Sequence, residues 1–176
     1  MLSDKEIYDI ADQMNITCLQ GCFYKDKLKY ERFQPNKGYI INLQNSQDGN
    51  GTHFTLLYSQ KNMHTNHLEY FYFDSTSGAV PEEVKSWTKQ GKIPYNNKNI
   101  QGIYYNSSCG WFCLACLYML STYKNRLHDL YMDAEYFLGL FHDDLNQKFD
   151  LFNNEKILKR FFQHLNVKES LIKRIN

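Results

Sequence analysis

The sequence predicts an α+β domain, with helices towards both ends of the chain and a β-sheet between them. Three observations predict it. Short β-branched or aromatic runs cluster between residues 38 and 105, helical periodicity flanks them on both sides, and no repeat or linker divides the 176 residues. A chain of this length buries a sizeable core without staples, so residues 1–176 are read as one domain.

The elements follow in order. Ser3 and Glu6 form a capping box ahead of Ile7, Ile10, Ala11 and Met14, which predicts a helix over residues 4–14. A turn region bearing Gly21 comes next. GYIINLQ (38–44), THFTLLYSQ (52–60), LEYFYFDS (68–75) and NIQGIYY (99–105) are bounded by Gly, Asn, Pro and Ser and read as strands. KNMHTNH is a hairpin-type connection between the second and third. PEEVKSW (81–87) places proline in a first turn with two glutamates behind it, which predicts a short helix. WFCLACLYMLSTYKN, after Gly110, is apolar nearly all round and predicts a buried central helix. Further helical stretches lie near 127–142 and, after Asn153, at ILKRFFQHL.

Composition removes several function classes. Hydrophobic residues are 43% and aromatics 16% of the chain, which excludes a disordered polymer. The net charge of +1 supplies no global field for nucleic acid or an acidic membrane. MLSDKEIYDI lacks a secretory pattern, and the apolar run at 111–120 is about half the ~20 residues that span a bilayer. A soluble, cytosolically made protein is expected. Five cysteines, an odd number, in a reducing compartment predict thiols rather than a disulfide framework.

Three of those cysteines stand in NSSCGWFCLACLYML (106–120). As a metal site the spacing of Cys109, Cys113 and Cys116 is poor, because zinc takes four ligands, commonly in two separated pairs. Cys18 and Cys22 complete such a set only on paper. Cys113 and Cys116 read as small hydrophobic filling. Cys109 differs, since it follows a polar segment and precedes Gly110 at a helix start. Amides and dipole there favour a thiolate and can receive an oxyanion, and Gly110 permits close approach of a substrate backbone.

A nucleophile needs a base. His64, His67, His128, His142 and His164 lie among polar or charged neighbours and read as surface histidines. His53 opens a strand after a turn containing Gly51, with Phe54 beside it as an aromatic wall; a purely structural histidine is the competing reading. Asp74 ends the hairpin partner of that strand and can orient the imidazole, although an Asx turn in DSTSG also explains it. Gln101, a long amide in a β-promoting context eight residues before Cys109, is a candidate oxyanion donor.

GTHF, FDSTSG followed by proline, IQG and NSSCGWFC, in the order His, Asp, Gln, Cys, resemble the adenovirus maturation protease (adenain-like) family, a clan that includes the ubiquitin-like-protein proteases. LQGCFYKDKL (19–28) and the stretch leading to His53 resemble it too, so residues 19–120 carry the likeness. The sequence departs from it in having Phe54 where tryptophan is usual and Asp74 where adenoviral enzymes have glutamate. Size and composition are similar to capsid-maturation proteases of virophages and Maverick/Polinton elements. The resemblance implies a central mixed sheet flanked by helices, with the cysteine at the start of a buried central helix. It implies a monomeric cysteine endopeptidase of viral factory and virion that cuts capsid or other structural precursors beside glycine or small residues. Cys109, His53, Asp74 and Gln101 would be catalytic, with Gly51, Phe54 and Gly110 lining the substrate and no metal or cofactor. A deconjugase of ubiquitin-like proteins uses the same residues, and a non-catalytic metal-binding or interaction module is the alternative from another class. Lys156, Lys159, Arg160, Lys173 and Arg174 could make weak nucleic-acid contact, with a solvated helix face as the favoured reading.

Overall fold

A computed structural model of the chain describes residues 2–49, 53–101, 108–123, 129–143 and 148–175. Helix α1 (Asp4–Gln13) starts at the expected capping box: Ser3 Oγ accepts from Glu6 N–H, and Glu6 Oε2 accepts from Ser3 N–H at 2.8 Å. The Gly21 region then departs from expectation. It is a strand, β1 (Leu19–Tyr24), not a turn, and its register against the next strand shifts between Leu19 and Gly21. A Cβ on Gly21 would meet the Phe23 ring at 2.8 Å and the Tyr8 hydroxyl at 3.0 Å. The glycine therefore marks a close approach within a strand irregularity.

A 3-10 helix (Lys25–Tyr30) leads to β2 (Gly38–Asn42), which pairs parallel with β1 and antiparallel with β3 (Phe54–Lys61). Strand β4 (Leu68–Phe73) completes a mixed sheet of order β1-β2-β3-β4 among the described residues. Side chains alternate across it with the period of two that a pleat imposes. Ile40, Leu56, Tyr58, Phe71 and Phe73 face one core, and Tyr39, Ile41, Leu57 and Tyr72 face the other. Cover on both faces explains why these strands read as unbroken apolar runs.

On one side Phe33 stacks on Tyr39, and Trp87 of α2 (Glu82–Thr88) meets both rings edge-on. On the other lies α3 (Cys109–Thr122), ten of whose residues are buried. A helix apolar all round must be enclosed, and β2, β3, α1, α4 (Leu130–Leu138) and α5 (Lys148–His164) enclose it. Trp111 meets Phe162 of α5 edge-on at 4.8 Å, and Gly38 lets β2 approach Leu117.

Three boundaries differ from the sequence reading. Residues 99–101 are not strand, and the rest of the expected strand at 99–105 lies outside the described residues. The outer edge of β4 is met instead by Tyr95, which forms an isolated parallel bridge to Tyr72. Helix α5 starts at Lys148 and runs straight through Asn153 and Asn154, and a short α6 (Glu169–Ile172) follows it. Among the described residues no helix is long and apolar enough to cross a membrane.

Cys116 is fully buried on α3. Cys116→Ala removes one sulfur's worth of packing and should cost about 1 kcal/mol in urea unfolding. The alkylation rate of Cys109 in the folded fraction should stay unchanged.

Candidate active site

The start of β3 is pinned to the start of α3 through the backbone of one residue. Phe54 N–H donates to Cys109 Sγ at 3.4 Å, and the Cys113 thiol donates to the Phe54 carbonyl at 3.4 Å. Cys113 thus bonds to the backbone as well as packing. Burial pushes its thiol well above the ordinary range, with Cys109 as the next contributor, so it stays protonated. Burial does the same to Cys116. All five cysteines are thiols.

His53 immediately precedes Phe54, and its carbonyl accepts from Leu43 N–H at 2.9 Å, closing the hairpin from β2. Leu56 pairs with Phe73, so antiparallel register brings the end of β4 to the start of β3. Asp74 follows Phe73, and His53 Nε2–H donates to Asp74 Oδ1 at 2.7 Å. The Cys109 side chain hydrogen-bonds to the same imidazole. Three of the sequence-selected residues therefore meet.

The electrostatics follow from that contact. Burial alone would depress the His53 pKa; the hydrogen bonds to Asp74 and Cys109, and their charges, outweigh it and raise it to about 10. Burial would raise Asp74, but the hydrogen bond and charge of His53, with bonds from Thr76, hold it below the ordinary carboxylate value. The imidazole is thus held as its cation across neutral pH.

Asp74 combines both roles read from the sequence. Its Oδ1 accepts from Thr76 N–H at 2.8 Å and Thr76 Oγ1–H at 2.7 Å, an Asx turn, as well as from His53. Two residues that the sequence reading passed over hold it in place. Fully buried Asn96 accepts from Asp74 N–H at 2.8 Å and donates to the Asp74 carbonyl at 2.7 Å. Gly78 leaves the space that the carboxylate occupies, because a Cβ there would overlap Asp74 Oδ2. Gly78 stood inside the FDSTSG motif; Asn96, in a polar loop, carried no signal.

Gln101 is buried but is not on a strand. Its N–H donates to the Ser75 carbonyl at 3.0 Å, and its Oε1 accepts from Ser75 Oγ–H at 2.5 Å. Ser75 thereby fixes which end of the amide is acceptor and which is donor. Cys109 is fully buried at the first position of α3, whereas the His53 side chain is 19% exposed, so the site meets solvent on the imidazole side. Ser108, the N-cap, makes no side-chain cap to the helix; its hydroxyl donates to Glu155 Oε1 at 2.9 Å. Phe54 is buried, and Gly110 packs under it and Leu2, with a Cβ there 3.5 Å from the Phe54 ring and 3.3 Å from Leu2. Gly51 lies outside the described residues.

Among the described residues no three His, Cys, Asp or Glu side chains come together to hold a metal ion. Of the basic residues considered for nucleic acid, Arg174 pairs with Glu6 and Lys156 lies over the Phe152 ring at 4.3 Å. No protein-family model matches the sequence, and no curated protein matches it significantly.

Two outcomes are expected from the imidazole and carboxylate pair. The raised His53 contributes stability that is full below its ordinary pKa of 6.5 and is lost as pH rises towards about 10. The lowered Asp74 contributes above its ordinary 3.8 and loses that contribution as pH falls through its native value. The stability gap between wild type and Asp74→Asn, from denaturant unfolding across pH, should therefore be widest between 3.8 and 6.5. Gly78→Ala, which pushes the carboxylate away, should lower the His53 pKa read by NMR titration.

Proposed function

We propose that the chain is a cysteine endopeptidase of the adenovirus-maturation-protease type, acting on viral structural precursors beside glycine or other small residues. The observation that carries this reading is the single imidazole that bonds both to Asp74, at 2.7 Å, and to Cys109. The chain order His, Asp, Gln, Cys supports the family, and the all-apolar helix that begins at the cysteine and packs on a mixed sheet supports its fold.

Cys109 Sγ, with its proton held on His53, attacks the scissile carbonyl carbon. The carbonyl oxygen becomes an oxyanion, held by the Cys109 backbone N–H and the Gln101 amide. When the C–N bond breaks, His53 returns its proton to the leaving amine and a thioester remains on Cys109. Water, losing a proton to His53, attacks the thioester; the acid departs and the thiol is restored. Asp74 stays ionised throughout and steadies the imidazolium. No other group is needed for the balance of atoms and electrons.

Cys109→Ala should abolish cleavage in a folded protein, and His53→Ala should be nearly as severe. Asp74→Asn should cost less, and Gln101→Ala should lower turnover roughly a hundredfold or more. The measurement is mass spectrometry of capsid precursors encoded beside this chain, incubated with each variant. Intact precursors together with efficient processing of a ubiquitin-like protein would move the assignment to a deconjugase, which uses the same residues. Full activity of Cys109→Ala would overturn the reading.

A further inference from the structure

Helix α5 carries two buried polar residues that face the other elements of the site. Asn154 is fully buried, and its Nδ2 donates to the Ile100 carbonyl at 2.9 Å and the His142 carbonyl at 2.7 Å, while its Oδ1 accepts from His142 N–H at 2.8 Å. The next residue, Glu155, is buried and accepts from Ser108 Oγ–H at 2.9 Å. Ile100 adjoins Gln101, and Ser108 adjoins Cys109. Consecutive residues of one helix therefore hold the neighbours of the two groups assigned to the oxyanion.

The Ser108 contact has a specific chemical effect. Serine at an N-cap ordinarily turns its oxygen onto the first-turn amides and satisfies one of them. Here it makes no such cap, and its hydroxyl is directed to Glu155. The bond anchors Ser108, whose carbonyl shares a peptide unit with the Cys109 N–H. Burying a carboxylate is costly, and desolvation raises the Glu155 pKa against the lowering effects of Ser108 and Lys159. A core built for stability alone would place an apolar side chain there.

We propose that Asn154 and Glu155 are positioning residues for the oxyanion side of the site: Asn154 fixes the backbone that carries Gln101, and Glu155, through the Ser108 hydroxyl, fixes the peptide that carries the Cys109 N–H. This inference rests on the cysteine-protease reading and deepens it. The residues act through Ile100 and Ser108, not on the substrate.

The test uses the full chain, a peptide substrate taken from a mapped cleavage site, a peptide aldehyde of the same sequence and iodoacetamide. The aldehyde forms a tetrahedral adduct that needs the oxyanion donors, whereas iodoacetamide needs only the sulfur and imidazole. Glu155→Ala should lower kcat and aldehyde affinity about tenfold or more, with KM and iodoacetamide rate within about twofold of wild type. Glu155→Gln keeps the acceptor and should restore most of kcat. In a Ser108→Ala background, where the bond to Glu155 is already absent, Glu155→Ala should cost no more than about twofold. Asn154→Asp, which loses both donated bonds but keeps the acceptor for His142, should follow Glu155→Ala. Equal falls in alkylation rate and kcat would overturn the inference while leaving the protease reading intact, as would wild-type turnover in Glu155→Ala. Failure of wild type to cleave any precursor or ubiquitin-like protein overturns both.

Discussion

The enclosure of α3 is the constraint on which the rest of the structure depends. A helix with no polar face has nowhere to put solvent, so sheet and helices must surround it on every side. Once surrounded, its first residue is fixed relative to β3, and the bonds from the Phe54 backbone to Cys109 and Cys113 set that relation at the level of single atoms. The geometry at Cys109 is thus a by-product of core packing. Close-packed interiors do not deform smoothly, which makes them good mounts for a reactive group.

The carboxylate side is built differently. Asp74 sits at a strand end, where the chain leaves the sheet and local hydrogen bonds replace the ladder. Its position is set by its own turn, by Asn96 gripping its peptide from both sides and by the absence of a side chain at Gly78. Electrostatics then act on a rigid pair. A cation and an anion 2.7 Å apart, largely removed from water, each stabilise the charged form of the other against the desolvation that would neutralise both.

What the sequence revealed and what it hid have separate physical causes. The capping box, the β-branched and aromatic strand runs and the all-apolar helix were legible because each is written in local spacing or composition. His53, Asp74 and Cys109 were legible because reactive side chains stand beside turn residues at element ends. β1 was misread because Gly21, which allows a close approach inside a strand, carries the same letter as a glycine that turns a chain. The start of α5 was missed because two adjacent asparagines read as a break, whereas the side-chain bonds of Asn154 go to Ile100 and His142 across the core. Asn96, Ser75 and Glu155 act through partners 20 or more residues away, and no local pattern encodes such pairings.

The placement of α5 sets an order of events during synthesis. His53, Asp74, Gln101 and Cys109 have all been translated well before Phe162, the residue that closes the wall against Trp111. Until that wall arrives, α3 has an apolar flank in water, and Cys109 has no fixed place beside His53. A nascent chain therefore carries every chemical group of the site without the site itself. The meeting of His53, Asp74 and Cys109 waits on the same burial that later makes the finished molecule rigid.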